Sequence, residues 1–204
     1  MLYLASTSPR RRELLAQIGV QFDVLAVDVN EDPLPGESAL DYVQRLAADK
    51  ARAGLHLLRQ RGLDGAVLGA DTTGLLDGRI LVKPAGRDDA IRMLLEMSGR
   101  THEVLTGVAL AGSGGGNSAD VQVACSRTAV TFRSIDAAEA GAYWDTGEPA
   151  DKAGAYGIQG FGAVFVEAIA GSYTGVVGLP LFETAQLLRQ AGIPVWQRAG
   201  AHKG

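Results

Sequence analysis

The sequence has little cysteine and no long apolar run. Its one cysteine, Cys125, excludes an internal disulfide and a zinc site made of four cysteines. Cys125 alternates with the apolar Val121 and Val123, which favours a packed thiol over a nucleophile. No apolar stretch reaches the roughly 18 residues of a membrane-spanning helix, and no charged leader with an apolar stretch and a cleavage site begins the chain. We therefore expect a soluble protein that is not exported.

Lysine is scarce as well. The formal net charge is −4, and the sequence pI near 5.4 argues against broad nucleic-acid binding. The 19 basic residues are mostly arginine, and the lysines stand at positions 50, 83, 152 and 203 only. Because lysine offers a compact, mobile charge that suits a phosphate oxygen, a lysine in this arginine-rich chain is a candidate for a specific role.

The first twelve residues predict a strand, a hydroxyl-rich turn and the start of a helix. Leu2–Ala5 is apolar and strand-like, Ser8 is a suitable N-cap, and Pro9 fits the first helical position. The same turn carries further polar side chains: Ser6, Thr7, Arg10, Arg11 and Arg12. Because the N–H groups at a helix N-terminus attract anions, the turn is a candidate polyphosphate site. An arginine run is also commonly a solvated helix face, so this stretch alone leaves both interpretations open.

The next elements supply acidic side chains and one lysine. A second strand is predicted over Phe22–Val29, with Glu31 in the acidic stretch at its exit. A capping box at Ser38 begins a helix that we expect to run to about Arg61. Lys50 falls on the apolar side of this helix, where it either points inward or snorkels to the surface.

Asp71 follows a short apolar strand, Ala66–Ala70, of the kind found in buried parallel sheets. Ligands collect at the carboxyl ends of strands in open α/β sheets, which makes Asp71 a candidate site residue. An aspartate at the end of a strand can equally cap the next turn. Further on, Asp77-Gly78 predicts a two-residue hairpin.

Two glycine-containing stretches lead to different interpretations. Gly112–Ser118 has no following Gly-Lys-Ser/Thr and opens no helix, so we interpret it as a connector and not as a phosphate loop. Asp151–Gly162 interleaves small residues with Tyr156 and Gln159, which makes a poor helix and a poor strand. Small residues would let the backbone of this second stretch come close to a ligand.

The order and spacing of several short motifs resemble the Maf family of nucleoside triphosphate pyrophosphatases from about Leu2 to Ile193. The motifs are Leu4–Arg12, Glu31 with Pro35–Ser38, Arg45–Ala47 with Lys50, Gly69–Thr72, Lys83 with Pro84, Ser98–His102, Asp151–Gly162 and Val176–Pro180. Each motif is weak alone, and together they are highly specific. The Gly-Ile-Gln-Gly segment at Gly157–Gly160 is similar to the subgroup that acts on dTTP and UTP, and differs from the one that acts on 7-methyl-GTP.

The resemblance implies an elongated α/β fold with a mixed sheet, flanking helices and a central cleft, similar to the inosine triphosphate pyrophosphatases (the Maf/Ham1 type). It implies a single domain of two lobes over residues 1–193 and a C-terminal tail over residues 194–204, which suits a chain of this length. It further implies a cytoplasmic enzyme that hydrolyses the bond between the α- and β-phosphates and releases a nucleoside monophosphate and pyrophosphate. A divalent cation, Mg²⁺ or Mn²⁺, is the expected cofactor.

The resemblance points to four residues for the chemistry. Asp71 matches the proposed proton acceptor, and Glu31, Lys50 and Lys83 match active-site groups around the metal and the phosphates. Carboxylates hold Mg²⁺ through oxygen ligands, so Glu31 and Asp71 are the candidate metal ligands. Asn30 stands where an acid is frequent in the family.

Other residues are expected to recognise the substrate. The positions linked to base specificity match Arg10, Thr72 and Gln159. The side chains expected to bind phosphates are in the N-terminal turn: Ser6, Ser8, Arg10 and Arg11. Uracil and thymine present a carbonyl–NH–carbonyl edge, and the amide of Gln159 carries both a donor and an acceptor. We therefore expect dTTP and UTP to be preferred over CTP and over purine triphosphates.

Two alternatives stay open at this point. The chain could be a nucleotide-binding regulator without significant hydrolysis, in keeping with the family's association with septum formation. It could also be a house-cleaning pyrophosphatase for purine triphosphates such as ITP or GTP. The presence of two carboxylates and two lysines at motif positions favours catalysis, because a pure binder needs no group that activates water. The expected partner is the nucleoside triphosphate, with no nucleic acid and no membrane, and a homodimer is compatible with the sequence.

Overall fold

The computed structural model describes residues 1–112 and 121–197, and helices and strands follow one another along them. The strands are β1 (Leu2–Leu4), β2 (Asp23–Val24), β3 (Ala66–Leu76), β4 (Arg79–Leu81), β5 (Thr101–Ala111), β6 (Val121–Phe132) and β7 (Val166–Ala170). The helices are α1 (Pro9–Gln17), α2 (Ala39–Gln60), α3 (Arg87–Met97), α4 (Ala137–Asp145), α5 (Tyr173–Val177) and α6 (Leu181–Gln190). Short 3₁₀ helices cover Glu148–Asp151, Ala153–Ala155 and Phe161–Phe165. None of the helices in these ranges is both long enough and apolar enough to cross a membrane.

The strands form one sheet in the order β2-β1-β3-β5-β6-β7, and β4 pairs with β3 beside this path. β1 is parallel to both of its neighbours, with Leu4 opposite Val24 on one side and Leu68 on the other. The pairs β3 with β4 and β6 with β7 are antiparallel. The structure therefore confirms an α/β fold with a mixed sheet and flanking helices.

The chain divides into two compact units. Among the described residues, the first unit comprises residues 1–71, 106–112, 121–126 and 178–197, and the second comprises Thr72–Leu105 and Arg127–Val177. The domain boundaries given above stay a prediction. At the start of the expected tail, Trp196 N–H donates to Ile18 O (2.7 Å) and Gln197 N–H donates to Gly19 O (2.9 Å). Residues 198–204 of that tail and residues 113–118 of the glycine-rich connector lie outside the described residues.

Helix α2 packs directly on the sheet of the first unit. Glycine in the sheet makes this contact possible, because a Cβ at Gly69 would overlap Ala47 O and a Cβ at Gly107 would overlap Val43 O. The face of α2 that contacts the sheet is apolar, and its buried side chains join the core around β1 and β3. Lys50 projects from this side of α2, so it points inward as one of the two interpretations predicted.

Aromatic side chains fill the core of the second unit. The Phe132 ring is edge-on to His102 and to Tyr156, with centroid distances of 4.9 and 4.8 Å. Phe165 contacts Phe132 and Tyr143, with centroids 6.0 and 5.0 Å away. His102 is only 2% exposed, and its Nε2 lies 2.8 Å from the Tyr156 hydroxyl. Burial lowers the pKa of His102 to about 4, so this side chain is a neutral part of the core at physiological pH.

Several predicted element ends differ from the structure. The strand predicted over Phe22–Val29 is reduced to Asp23–Val24, because its partner β1 has only three residues with which to pair. Asp71 was expected at the end of a strand, but β3 continues through it to Leu76. The continuation has a physical reason, since Thr73 and Leu76 are buried and the strand turns back into β4. The hairpin at Asp77-Gly78 is confirmed, and both of its residues have positive φ.

Candidate active site

The N-terminal turn is organised by the hydroxyl of Ser6. Its Oγ accepts hydrogen bonds from Ser8 N–H (3.2 Å) and from Arg11 Nη1 (3.3 Å). Ser8 occupies the N-cap position of α1 in extended geometry and Pro9 begins the helix, as predicted. The Ser8 hydroxyl makes no capping hydrogen bond, which differs from the expected cap. The first turn of α1 therefore keeps backbone N–H groups that an anion could use.

Arg11 is a half-buried cation in the first unit. Its Nε donates to Gly178 O over 2.8 Å, which joins the start of α1 to the segment that precedes α6. Burial lowers the pKa of Arg11, the negative charge of Asp71 opposes this, and the positive charge of Arg10 adds to it. A smaller opposing effect comes from Glu31. The charges of Asp71, Arg10 and Glu31 therefore all influence the pKa of Arg11 within the same unit.

Lys50 lies between two carboxylates. Its Nζ is 2.7 Å from Glu31 Oε1 and 2.7 Å from Asp71 Oδ1. The side chains of Lys50 and Asp71 are 13% and 12% exposed, whereas that of Glu31 is 59% exposed. One buried carboxylate and one accessible carboxylate therefore meet at a single ammonium group. The structure brings together three of the residues predicted for the chemistry: Glu31, Lys50 and Asp71.

Helix α2 fixes the loop that carries Glu31. The hydroxyl of Tyr42 donates to Glu31 O over 2.9 Å, and Arg45 Nη2 donates to Asp32 O over 3.1 Å. Arg45 also forms a two-point ion pair with Glu37, in which Nε–Oε1 is 2.5 Å and Nη2–Oε2 is 2.8 Å. The hydrogen bonds from Arg45 lower the pKa of Glu37 to about 2. These contacts hold the loop at its middle and near its end.

Sequence reasoning gave no role to Tyr42 or to Arg45. A signal was present, because Tyr42 and Arg45 stand three residues apart and form a polar stripe beside the apolar face of α2. Their partners could not be foreseen, since both bind backbone carbonyls of an irregular loop. Asn30, the departure from the family pattern, has a local role, because its Oδ1 accepts from Asp32 N–H over 2.8 Å.

Three predicted site residues belong to the second unit. Thr72 is half-buried on β3, Lys83 is exposed after β4, and Gln159 is exposed in the loop before β7. Gly154 N–H donates to Val82 O over 3.0 Å, so the segment that leads to Gln159 is attached to the residue before Lys83.

The carboxylates of the first unit provide a donor set that suits a hard divalent cation. Oxygen atoms of Glu31 and Asp71 approach the same point, which is where Lys50 Nζ lies. No group of three or more His, Cys, Asp or Glu side chains with metal-site geometry occurs in the described ranges. Two carboxylates completed by water and by substrate phosphates are a common arrangement for Mg²⁺. The residues present therefore fit a cation that is bound together with a nucleotide.

Comparison with known proteins relates this chain to named enzymes. The chain is 57% identical to the dTTP/UTP pyrophosphatase of Saccharophagus degradans over 196 residues, which covers 96% of this chain and 91% of the relative. It is 54% identical to the dTTP/UTP pyrophosphatase of Aromatoleum aromaticum, with 95% of this chain and 97% of the relative covered.

Among solved structures, a HAM1 protein from Coxiella burnetii matches with a TM-score of 0.42 and 21% identity, over 64% of this chain and 72% of that one. A nucleoside-triphosphatase (dITP/XTP pyrophosphatase) from Mycobacterium abscessus matches with a TM-score of 0.40 and 16% identity, over 64% and 73%. The family model described as Maf-like protein matches residues 1–191. The chain therefore belongs to the Maf family.

Proposed function

We propose that this chain is a nucleoside triphosphate pyrophosphatase that converts dTTP and UTP to the nucleoside monophosphate and pyrophosphate. The observation that carries the proposal is the contact of Lys50 with both Glu31 and Asp71, in a chain 57% identical to a named dTTP/UTP pyrophosphatase. A pure binding protein has no need for a group that activates water, and a shielded carboxylate such as Asp71 can be one. Hydrolysis of a phosphoanhydride needs such a group, together with charge compensation on the phosphate oxygens.

The cations of the N-terminal turn and of α2 would neutralise the triphosphate. Arg10 and Arg11 supply guanidinium groups, which suit phosphate oxygens because they can donate in pairs. Lys50 supplies a point charge in the same unit, and the N-terminus of α1 supplies backbone N–H groups. The hydroxyls of Ser6 and Ser8 add donors in the same turn. Lys83 is also proposed to contact phosphate.

Asp71 is proposed as the group that accepts the proton of the attacking water. The water oxygen forms the new bond to the α-phosphorus, the P–O bond to the α–β bridging oxygen breaks with its electron pair left on pyrophosphate, and the water proton passes to the Asp71 carboxylate. The Asp71 side chain is only 12% exposed, so its position is fixed by packing as well as by the bond to Lys50. A base held in place in this way loses little free energy to reorganisation during the reaction.

Glu31 and Asp71 are proposed to hold the divalent cation, Mg²⁺ or Mn²⁺. When bound, such a cation neutralises phosphate charge and makes a bound water more acidic. The exposed position of Glu31 lets its carboxylate turn toward an incoming metal–nucleotide complex, and Tyr42 keeps the backbone of Glu31 in place. Lys50 balances the two negative charges before that complex arrives.

Base selection is assigned to Gln159, Arg10 and Thr72. The uracil and thymine edge has two acceptors around one donor, which the amide of Gln159 can meet with one donor and one acceptor. Cytosine replaces a carbonyl by an amino group and the ring NH by an acceptor, so like groups would face each other. Sites built on hydrogen bonds reject such mismatches strongly, because unpaired buried polar groups are costly.

A nucleotide panel tests the proposal. The purified chain is incubated with Mg²⁺ and separately with dTTP, UTP, CTP, GTP and ITP, and the products are identified as monophosphate plus pyrophosphate or as diphosphate plus phosphate. We expect monophosphate and pyrophosphate, with kcat/KM highest for dTTP and UTP. Binding of UTP without turnover would favour the nucleotide-binding regulator. Highest kcat/KM for ITP or GTP would favour the purine enzyme.

The proposal also includes a cytoplasmic location, where the nucleoside triphosphate pool would be the substrate, and a nucleotide as the partner. A homodimer is the proposed oligomeric state. Light scattering on the purified chain, with and without UTP, measures the molecular mass and tests the homodimer directly.

A further inference from the structure

A tight turn presents Gln159. Gly160 N–H donates to Gly157 O over 3.3 Å, so Ile158 and Gln159 are the central residues of this turn. Ile158 is 7% exposed and anchors the turn in the second unit, whereas Gln159 is exposed. Any group that fixes the backbone on the two sides of Gln159 therefore fixes where its amide is presented.

The carboxylate of Glu148 binds the segment that follows Gln159. Its Oε2 accepts from Phe161 N–H over 2.8 Å, and its Oε1 accepts from Gly162 N–H over 3.1 Å and from the Tyr143 hydroxyl over 2.7 Å. Burial raises the pKa of Glu148, but the hydrogen bonds outweigh burial and lower it. The side chain is therefore ionised, and an ionised carboxylate is an acceptor at every lone pair, which suits three donors.

The hydroxyl of Tyr143 extends this network to the segment that precedes Gln159. It accepts from Gly157 N–H over 3.0 Å while it donates to Glu148. Tyr143 is 5% exposed, and its ring lies edge-on to Phe165 at 5.0 Å, so the core fixes the place of the hydroxyl. Glu148 and Tyr143 together hold the backbone both before and after Gln159.

The glycines of this loop match the network in shape. A Cβ at Gly160 would overlap the carboxylate of Glu148, and a Cβ at Gly162 would lie 2.6 Å from the Tyr143 hydroxyl. A Cβ at Gly157 would lie 2.8 Å from Lys152 Cε. Lack of a side chain at these three positions is therefore explained by the close approach of the loop to Glu148, Tyr143 and Lys152.

We propose that Glu148 and Tyr143 are positioning residues for base selection, because they shape the Gly157–Gly162 loop around Gln159. The inference rests on the proposed function, in which Gln159 recognises the pyrimidine base. Neither residue contacts the substrate; both act through the backbone that carries Gln159. A network that served only to stabilise the unit would change the melting temperature and leave the choice between bases unaltered.

The test combines selectivity with backbone protection. Glu148→Gln replaces an acceptor oxygen by an amide donor that faces N–H groups, and Tyr143→Phe removes only the hydroxyl. For each variant we compare kcat/KM for UTP with kcat/KM for CTP, and we measure amide exchange at Phe161 and Gly162 by NMR. Asp145→Asn is the matched control, because Asp145 is a carboxylate at the end of α4, three residues before Glu148, that pairs with Arg87 over 3.2 Å and is 61% exposed.

We expect the UTP-to-CTP ratio to fall at least about tenfold in Glu148→Gln, less in Tyr143→Phe, and not in Asp145→Asn. Exchange at Phe161 and Gly162 should become faster in Glu148→Gln. In a Gln159→Ala background, Glu148→Gln should lower the ratio little further, because both changes remove the same recognition.

Unchanged ratios in both variants would overturn the inference, and so would unchanged amide exchange in Glu148→Gln. An equal further fall in the Gln159→Ala background would also overturn it, since Glu148 would then act independently of Gln159. Failure of the proposed function would appear separately, as a wild-type chain that shows no preference for UTP. If Glu148→Gln does not fold, Tyr143→Phe decides by the same ratio and by exchange at Gly157.

Discussion

Asp71 is the side chain on which the proposed chemistry depends most. We expect Asp71→Asn to lower kcat on UTP by at least about 10²-fold, because the amide keeps the shape and the contact with Lys50 but cannot accept a proton from water. Steady-state kinetics and the melting temperature are measured together. Asp64→Asn serves as control, since Asp64 is an exposed aspartate of the same unit that precedes β3. Near-normal turnover with a normal melting temperature would eliminate Asp71 as the base.

The two lysines at motif positions should behave differently on substitution. Lys50→Met and Lys83→Met are each expected to lower kcat/KM for UTP about tenfold or more at low ionic strength, where charge effects are least screened. Only Lys50→Met should also lower the melting temperature, because it removes the ammonium that pairs with the buried Asp71, whereas Lys83 is exposed. Arg52→Met on the outer face of α2 is the control. An unchanged kcat/KM in either lysine variant contradicts the assigned phosphate contact.

How well the sequence predicts the partners of a side chain depends on the kind of contact that the side chain makes. Helical spacing put Lys50 on the apolar face of α2, and this alone predicted that it could point inward. Its meeting with Asp71 and Glu31 came from the family resemblance, because three separate segments of chain supply the three groups. The contact of Glu148 with Phe161 and Gly162 was not predicted at all, since a carboxylate that binds backbone N–H groups leaves no periodic pattern.

The ion pair between Glu37 and Arg45 holds the loop between β2 and α2 to the helix, and its contribution to stability should depend on pH. The hydrogen bonds from Arg45 lower the pKa of Glu37 to about 2, below the ordinary value of 4.5. The stabilising contribution of Glu37 is therefore fully present above pH 4.5 and is lost as the pH falls through about 2. We expect Glu37→Gln to lower the melting temperature near neutral pH and the difference from wild type to shrink below pH 4.5.

Glu13→Gln provides the comparison for this loop, because Glu13 is an exposed carboxylate of α1. Melting temperatures of the wild type and of both variants are measured from about pH 7 to about pH 3. A difference between wild type and Glu37→Gln that stays constant over this range would contradict the role of the ion pair.

Strand ends were the part of the fold that the sequence predicted least well. The residues after Asp23–Val24 are suited to a strand, but the short partner β1 ends the ladder. In the opposite sense, the polar Asp71, Thr72 and Thr73 suggested the end of β3, although the strand continues to Leu76. In the first case the length of the neighbouring strand decided the outcome, and in the second the burial of Thr73 and Leu76 and the pairing with β4 did. A local pattern contains neither kind of information. The predicted strand at Leu2, the helix that Pro9 begins, the helix after Ser38 and the Asp77-Gly78 hairpin are all present, because periodicity, caps and turn residues are local signals. Helix α5 and the three 3₁₀ helices were not predicted.

For the molecule as a whole, the fold class, the family and the proposed reaction follow from different evidence. The mixed sheet is visible in the strand pairs, and family membership follows from a match over residues 1–191. The reaction rests on the arrangement around Lys50 together with the named relatives. Gly69 and Gly107 connect these levels, because they let α2 approach the sheet and so bring Lys50 beside Asp71.

Acid should destabilise the whole fold through His102, which is buried in the second unit. Burial lowers its pKa from 6.5 to about 4, so below pH 6.5 the unfolded chain binds a proton that the folded chain does not. Stability from this group is fully present above pH 6.5 and declines as the pH falls toward 4. The loss is about 2 kcal/mol by pH 5.

We expect His102→Gln, which can keep a hydrogen bond to Tyr156, to be less stable near neutral pH but to lose less stability between pH 6.5 and 4 than the wild type. Urea unfolding at a series of pH values measures the free energy of unfolding for both. His56→Gln is the matched control, because His56 is exposed on α2 and its loss should leave the wild-type pH profile in place. If His102→Gln and the wild type lose the same free energy over this range, the buried imidazole does not set the acid sensitivity, and the carboxylates of the fold must account for it.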